Sequence, residues 1–242
     1  MSLTPTGRPA DRTQAGAAYA RIEEMIVTLE LAPGEVVTET RLRELTGMGR
    51  TPVREALLQL KQDFLLSVMP REGILIRPIE VSVALDALEV RGRIEGLLIE
   101  HAVRKATSAE RERFAGMALR TEAVIAAGDS AGFSKIDQAF NAAVAAAARH
   151  EVAARAVMPL HAVSRRIGYF LARFGHVNLE ETALPHARIM QAIADSDPRE
   201  ALAALDTLLI RTREQTLGIE RSGLLDEGMP PVDPAKERTS TG

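Results

Sequence analysis

Apolar residues recur at helical spacing along most of the chain. Ile22, Ile26 and Leu29 share one face of a helix predicted over Ala18–Leu31 and stopped by Ala32-Pro33-Gly34. A second short helix runs from Thr38 to Thr46 and ends at Gly47. In the next, Val53, Ala56, Leu57 and Leu60 follow the i, i+3, i+4, i+7 rule, with Thr51 as expected N-cap and Pro52 as first helical residue. The pattern then changes. Two β-rich runs, Phe64–Met69 and Ile74–Ile76, flank a turn carrying Pro70, Arg71 and Gly73, the signature of a hairpin. After a short linker at 79–82, every periodic segment is helical. Helices are expected over 83–105, 107–127, 133–149, 152–174 (kinked at Pro159), from Leu184 to about Ala194, and from Pro198 to about Glu220. The ends, 1–14 and 223–242, are polar with Pro and Gly and are expected to be disordered.

Two short helices joined by Gly47-Met48-Gly49 make a helix-turn-helix, and the hairpin behind it makes a wing with a basic tip. The predicted fold is mainly α. A winged helix-turn-helix over 15–78 is followed by an all-helical bundle of six or seven helices over 83–222. In the second helix of the motif, Arg54 points away from the apolar stripe, Arg50 and Thr51 sit at its tip, and Lys61 lies further along the exposed side. Cations at a helix N-terminus oppose the macrodipole by about 0.3–1 kcal/mol, which a sequence tolerates where an anion is to be met. Phosphates and base edges of a major groove supply that anion.

Charge sharpens the picture. The chain is acidic overall at −3, yet residues 41–61 carry Arg41, Arg43, Arg50, Arg54 and Lys61 against Glu44 and Glu55. A compact basic face on an acidic protein suits a DNA reader rather than a general polyanion binder. The chain contains no cysteine, which excludes a disulfide scaffold, a thiolate zinc site and a cysteine nucleophile, and fits a reducing cytoplasm. Its apolar runs are too short to span a bilayer, and the first residues lack the apolar core of a signal peptide.

Residues from about Tyr19 to Pro78 resemble the winged helix-turn-helix of the GntR family of bacterial transcription regulators. The Leu31-Ala32-Pro33-Gly34 turn, the run Arg50-Thr51-Pro52-Val53-Arg54-Glu55-Ala56-Leu57 and Gly73 carry the likeness. The helical remainder, opening with Leu88-Glu89-Val90-Arg91-Gly92-Arg93-Ile94-Glu95, resembles the FCD domain of the FadR-like branch. The resemblance implies that Arg50, Thr51 and Arg54 contact an operator and that the tip from Arg71 to Gly73 enters a minor groove. Gly49 stands where many members carry a phosphate-contacting Ser or Thr. Thr40 replaces an arginine that a relative uses on DNA, so Arg41, one place along, joins the expected DNA-binding set. A homodimer on a palindromic operator follows, because two-fold proteins meet two-fold sites.

Many FCD domains hold a divalent metal with one Asp and three His. By resemblance those places are Asp137, Asn141, His186 and Leu208. Asp137 and His186 are able to ligate zinc or nickel; Asn141 offers a neutral carbonyl and Leu208 nothing. A firmly held metal is therefore not the favoured reading, because such sites normally supply three or four ligands. The favoured one is a polar pocket in which Asp137, Asn141 and His186 bond a small organic effector. An internal Asp137–His186 pair, with Leu208 as core, stays open beside it. Arg91 is a candidate partner for an effector carboxylate, and Arg165, Arg166 and Tyr169 are weaker ones. A small helical enzyme using Asp137 and His186 is the alternative function, but no nucleophile motif or phosphate loop accompanies it.

Overall fold

The computed structural model describes residues 13–176 and 178–225. They form two compact units, one from residues up to Ala87 together with Met158–Ala172, the other from Leu88–Val157 together with the residues from Arg173 onward.

The first unit opens with α1 (Gln14–Val27), capped by the Thr13 hydroxyl, which accepts from the Gly16 N–H at 3.0 Å. Residues 1–12 of the expected lead-in lie outside the described residues. Thr13 and Gln14 belong to the helix start. The helix also stops earlier than its apolar pattern suggests. Leu29 takes a left-handed backbone with φ of 66°, and the Leu31 N–H reaches back to the Met25 carbonyl at 2.9 Å. Leu29 is nevertheless buried, so it reaches the core from a turn and not from the helix.

A two-residue strand, β1 (Val36–Val37), follows and was missed, being too short to show an alternation. It pairs antiparallel with β3 (Gly73–Ile76), which pairs on its other edge with β2 (Leu66–Met69), giving the order β1-β3-β2. Between β1 and β2 stand α2 (Glu39–Thr46) and α3 (Arg50–Gln62). Thr38 caps α2, and Gly47 ends it in a left-handed conformation at φ 66°. The expected stripe of Val53, Ala56, Leu57 and Leu60 is the buried face of α3. Its start differs from expectation. The N-cap is Gly49, with no side-chain capping bond, so Arg50 and Thr51 are in the first turn and Pro52 is third. Pro52 is tolerated there because the first four N–H groups of a helix have no intrahelical acceptor.

The core of this unit gathers Ile22, Met25, Ile26, Leu42, Leu60, Leu65 and Ile76, and takes in Ala162 from α7 (Glu151–Arg173). Tyr19 donates to Asp63 Oδ2 at 2.7 Å inside it. Arg165 pairs with Glu23 at 2.9 Å, and Arg166 donates to the Arg77 carbonyl at 2.6 Å. Half of the expected linker at 79–82 is helical, since α4 (Val81–Lys105) begins with buried Val81.

The second unit comprises the rest of α4 and α7 with α5 (Ser108–Ala127), α6 (Ser130–Ala148), α8 (Leu179–Ala194) and α9 (Pro198–Ser222). α5 starts at the capping box of Thr107 and Glu110, and Gly128 ends it at φ 66°. α6 begins three residues before its expected start, because Asp129 caps it. α8 begins five before, at Leu179: Asn178 accepts from the Glu181 N–H, leaving Pro185 inside the helix at the loss of one backbone bond. α7 continues through Pro159 as one helix. Phe114, Met117, Phe140, Ile189, Ile193, Leu205 and Leu208 lie in the common core. Gly92 marks a close approach: a Cβ there would fall 2.7 Å from Leu209 Cδ1 of α9. Of the tail, Gly223–Leu225 form a turn and the remainder lies outside the described residues.

Candidate nucleic-acid interface and effector cluster

Arg50 and Arg54 lie one turn apart on the exposed side of α3, and both meet a single carboxylate from α2. Arg50 Nε is 3.2 Å from Glu39 Oε1, and Arg54 Nε donates to Glu39 Oε2 at 2.8 Å. The hydrogen bond from Arg54, helped by the charges of Arg54 and Arg50, holds the Glu39 carboxyl below its ordinary value against the opposing effect of desolvation. Each arginine therefore keeps part of its guanidinium fork toward solvent while its Nε is tethered. Thr51 is exposed beside them. Arg41 is turned away to Glu35, whose other oxygen accepts from the Ala32 N–H at 2.9 Å. The basic stretch is thus less basic than its sequence window suggests. Glu35 and Glu39, just upstream of it, fold back onto its arginines.

The wing tip is a β-turn in which the Glu72 N–H bonds the Met69 carbonyl at 3.2 Å. Pro70 sits at its second position and Arg71 at its third, with φ of 69°, where a type II turn ordinarily takes glycine. An exposed cation is held there in place of the relaxed residue. Gly73 has φ of 128°, and a Cβ on it would stand 2.9 Å from the Val37 carbonyl oxygen. The positive φ and the close approach of β1 both require glycine here.

In the second unit, Phe133, Asp137, Phe140 and Asn141 recur at i, i+4, i+7 and i+8 on α6 and so share a face. His186 of α8 meets that face. Its ring lies edge-on to Phe133 at 5.2 Å and to Phe140 at 6.1 Å between centroids. Nδ1 of His186 is 2.8 Å from the Thr182 carbonyl, which only accepts, so that nitrogen carries a proton. Nε2 lies 3.3 Å from Asp137 Oδ1, to which it donates when the ring carries both protons, and Asn141 Nδ2 donates to the same oxygen at 3.2 Å. Three of the expected effector residues are therefore brought together.

The fourth is engaged elsewhere. Arg91 is buried with its Nε 3.0 Å from Glu95 Oε1, one helical turn along α4. Arg165 and Arg166 belong to the first unit, with Glu23 and the Arg77 carbonyl. The donor set does not fit a held transition metal. Leu208 is core, Asn141 turns its amide nitrogen to Asp137, and the described residues contain no group of three or more His, Cys, Asp or Glu arranged to ligate one.

Residues 14–76 match the model for bacterial regulatory proteins of the gntR family, and residues 86–211, just over half of the chain, match the FCD domain. The chain belongs to the GntR family, with an FCD domain. A curated relative from Agrobacterium vitis, an HTH-type transcriptional regulator in the TAR-I ttuE-ttuC' intergenic region, is 30% identical over 56% of this chain and 81% of its own length. Another, an HTH-type transcriptional regulator in an unstable DNA locus of Streptomyces ambofaciens, is 37% identical over 35% of this chain. That alignment spans only 36% of the relative's length. Among solved structures, E. coli McbR/YncC shares the fold with a TM-score of 0.73 at 17% identity, over 85% of this chain and 98% of that one.

As a GntR regulator with an FCD domain, the protein is a DNA-binding transcription regulator and not an enzyme. Among the described residues, no helix is long and apolar enough to cross a membrane. Two features of this GntR chain were missed in sequence. Glu39 gave no local sign, since it lies 11 and 15 residues before its partners. Phe133 and Phe140 did give one, because they share the helical spacing of Asp137 and Asn141.

Proposed function

We propose that this GntR regulator is a cytoplasmic repressor that binds a palindromic operator as a homodimer, with Arg50, Thr51 and Arg54 of α3 in the major groove. Arg41, Arg71 and Gly73 belong to the same reading, Arg71 at a phosphate or in the minor groove. The observation that supports it most is the double tether of Arg50 and Arg54 to Glu39, which presets two guanidinium groups on one exposed helix face. Groups ordered before binding lose less freedom on meeting the DNA. A small organic effector, engaging Asp137, Asn141 and His186 in the FCD domain, shifts the balance between operator-competent and incompetent arrangements. It acts only as far as its affinity differs between them.

The test is fluorescence anisotropy with duplexes tiled across the DNA upstream of the protein's own coding region. Saturable binding of two chains to an inverted repeat, competed weakly by a scrambled duplex, is expected. Equal affinity for both duplexes, or one chain per site, overturns the proposal. Reporter transcription that falls when the protein is removed overturns the repressor assignment.

A further inference from the structure

The exposed side of α3 is polar at Arg50, Thr51, Arg54, Glu55, Lys61 and Gln62, with one exception. Leu58 is 63% exposed, the highest value among the exposed large apolar side chains of the first unit, although its neighbour Leu57 is buried. Exposure alone decides nothing, since single apolar side chains are common on any surface. The position does. At about 100° per residue, Leu58 stands within about 20° of Thr51 and about 40° of Arg54 around the helix axis, opposite the buried stripe. Thr51, Arg54 and Leu58 are thus spaced i, i+3, i+7, the interval over which a helix lying along a major groove meets successive base pairs. Leu58 lies about 6 Å beyond Arg54 along the axis, close to two base-pair steps. One leucine ringed by charges is too small a patch to seat a folded protein. A major groove does offer a match for it: the 5-methyl group of thymine, the one apolar feature among its base edges.

We infer that Leu58 is a specificity-determining residue of this regulator, packing on the methyl group of a thymine one or two base pairs from the Arg54 contact in each half-site. The inference rests on α3 occupying the major groove, as proposed above, and goes further by laying the helix along the groove. With α3 entering end-on, Leu58 would stand about 10 Å behind Thr51, outside a groove about 8.5 Å deep. Arg54 and Leu58 then divide the reading between them, the arginine through hydrogen bonds and the leucine through an apolar contact.

The test is fluorescence anisotropy with the full chain and the inverted-repeat duplex, each symmetric pair of thymines being replaced in turn by deoxyuridine. Only methyl groups are thereby removed. One pair near the Arg54 contact should weaken wild-type binding about tenfold, the scale of one buried methyl group in each of two half-sites. Leu58→Ala should bind the thymine and deoxyuridine duplexes within about twofold of each other, because the contact that tells them apart is gone. Should Leu58→Ala not fold, Leu58→Gln decides: preference at that position should move from thymine to adenine, the base that glutamine reads. Thymine preferred as strongly by that variant overturns the inference. A flat deoxyuridine scan of the wild type overturns it with no variant at all. If Arg54→Ala still weakens binding in that case, the recognition-helix reading survives. Deoxyuridine sensitivity retained in Leu58→Ala assigns the methyl contact to Thr51 and equally overturns the role of Leu58. A wild type that binds no duplex specifically removes both readings together.

Discussion

Glu39 holds two arginines on a surface that water reaches, whereas Asp137 holds an amide and an imidazole between phenylalanine rings. In the first cluster the charges sit in high dielectric, where an ion pair contributes about 0–1 kcal/mol and exchanges readily for another anion. A phosphate or a base edge therefore competes with Glu39 at little cost, and the tether acts as a guide more than a bond. The second cluster is buried at His186 and half-buried at Asp137 and Asn141, and its polar atoms depend on one another. An arriving ligand must supply every hydrogen bond that it displaces. The same three-residue logic thus gives a ready contact surface in one place and a demanding, selective one in the other.

The contrast breaks most visibly at His186. His186→Ala removes a buried partner of Asp137 and the ring between Phe133 and Phe140, and should lower stability by roughly 2–4 kcal/mol, read by urea unfolding. A loss below about 0.5 kcal/mol would mean that this cluster is as exchangeable as the surface one. Next in size is Arg54→Ala, which should weaken operator binding by about 1–3 kcal/mol while leaving the unfolding curve in place. Unchanged affinity would remove Arg54 from the interface.

A smaller effect is expected at the tether itself. Glu39→Gln should raise affinity for non-specific duplex and steepen its salt dependence by about one unit of slope, as freed cations take up phosphates. It should also alter the acid limb of stability. Because the folded Glu39 carboxyl is depressed, its contribution is present at neutral pH and is lost as pH falls through that lowered value. The variant should therefore lose less stability than the wild type on acidification, and parallel pH profiles would dismiss the coupling. The smallest expected effect is that of chelator. With two acidic or imidazole donors, the FCD cluster should show no change in melting temperature on EDTA treatment. A tight metal at 100 times its Kd would add about 2.7 kcal/mol, so its removal would be plain. One metal per chain by elemental analysis would overturn this, and Leu208→His should raise zinc affinity if the helices are spaced for a cage.

How much of this was open to the sequence depended on the range of the interaction. The stripe of α3 and the Gly47 stop are set by neighbours within one or two turns, and both stood where their spacing put them. Helix starts failed when a nearer cap went unread: Asn178 with Glu181 outranked the more conspicuous Pro185. β1 was illegible because two residues carry no period and pair only through β3. The candidate sites divide in the same way. Asp137, Asn141 and His186 do converge, but Arg91 spends its charge on Glu95 a turn away, a pairing that its i, i+4 spacing advertised. Glu39, by contrast, meets Arg50 and Arg54 only once α2 has turned onto α3. No local pattern carries that.

The stretch of α7 from Met158 to Ala172 has a bearing on biosynthesis. The core that begins with Ile22 and Leu42 is completed by Ala162, and Glu23 finds its arginine only at Arg165. A ribosome therefore releases the wing some eighty residues before the last wall of that core exists, and at about 5–20 residues per second the nascent head waits for several seconds unfinished. Cutting the gene after Pro78, or fusing this head to another regulator's effector domain at that point, would leave the same gap permanently. A head moved between regulators would need residues 158–172, or a substitute for them, to travel with it.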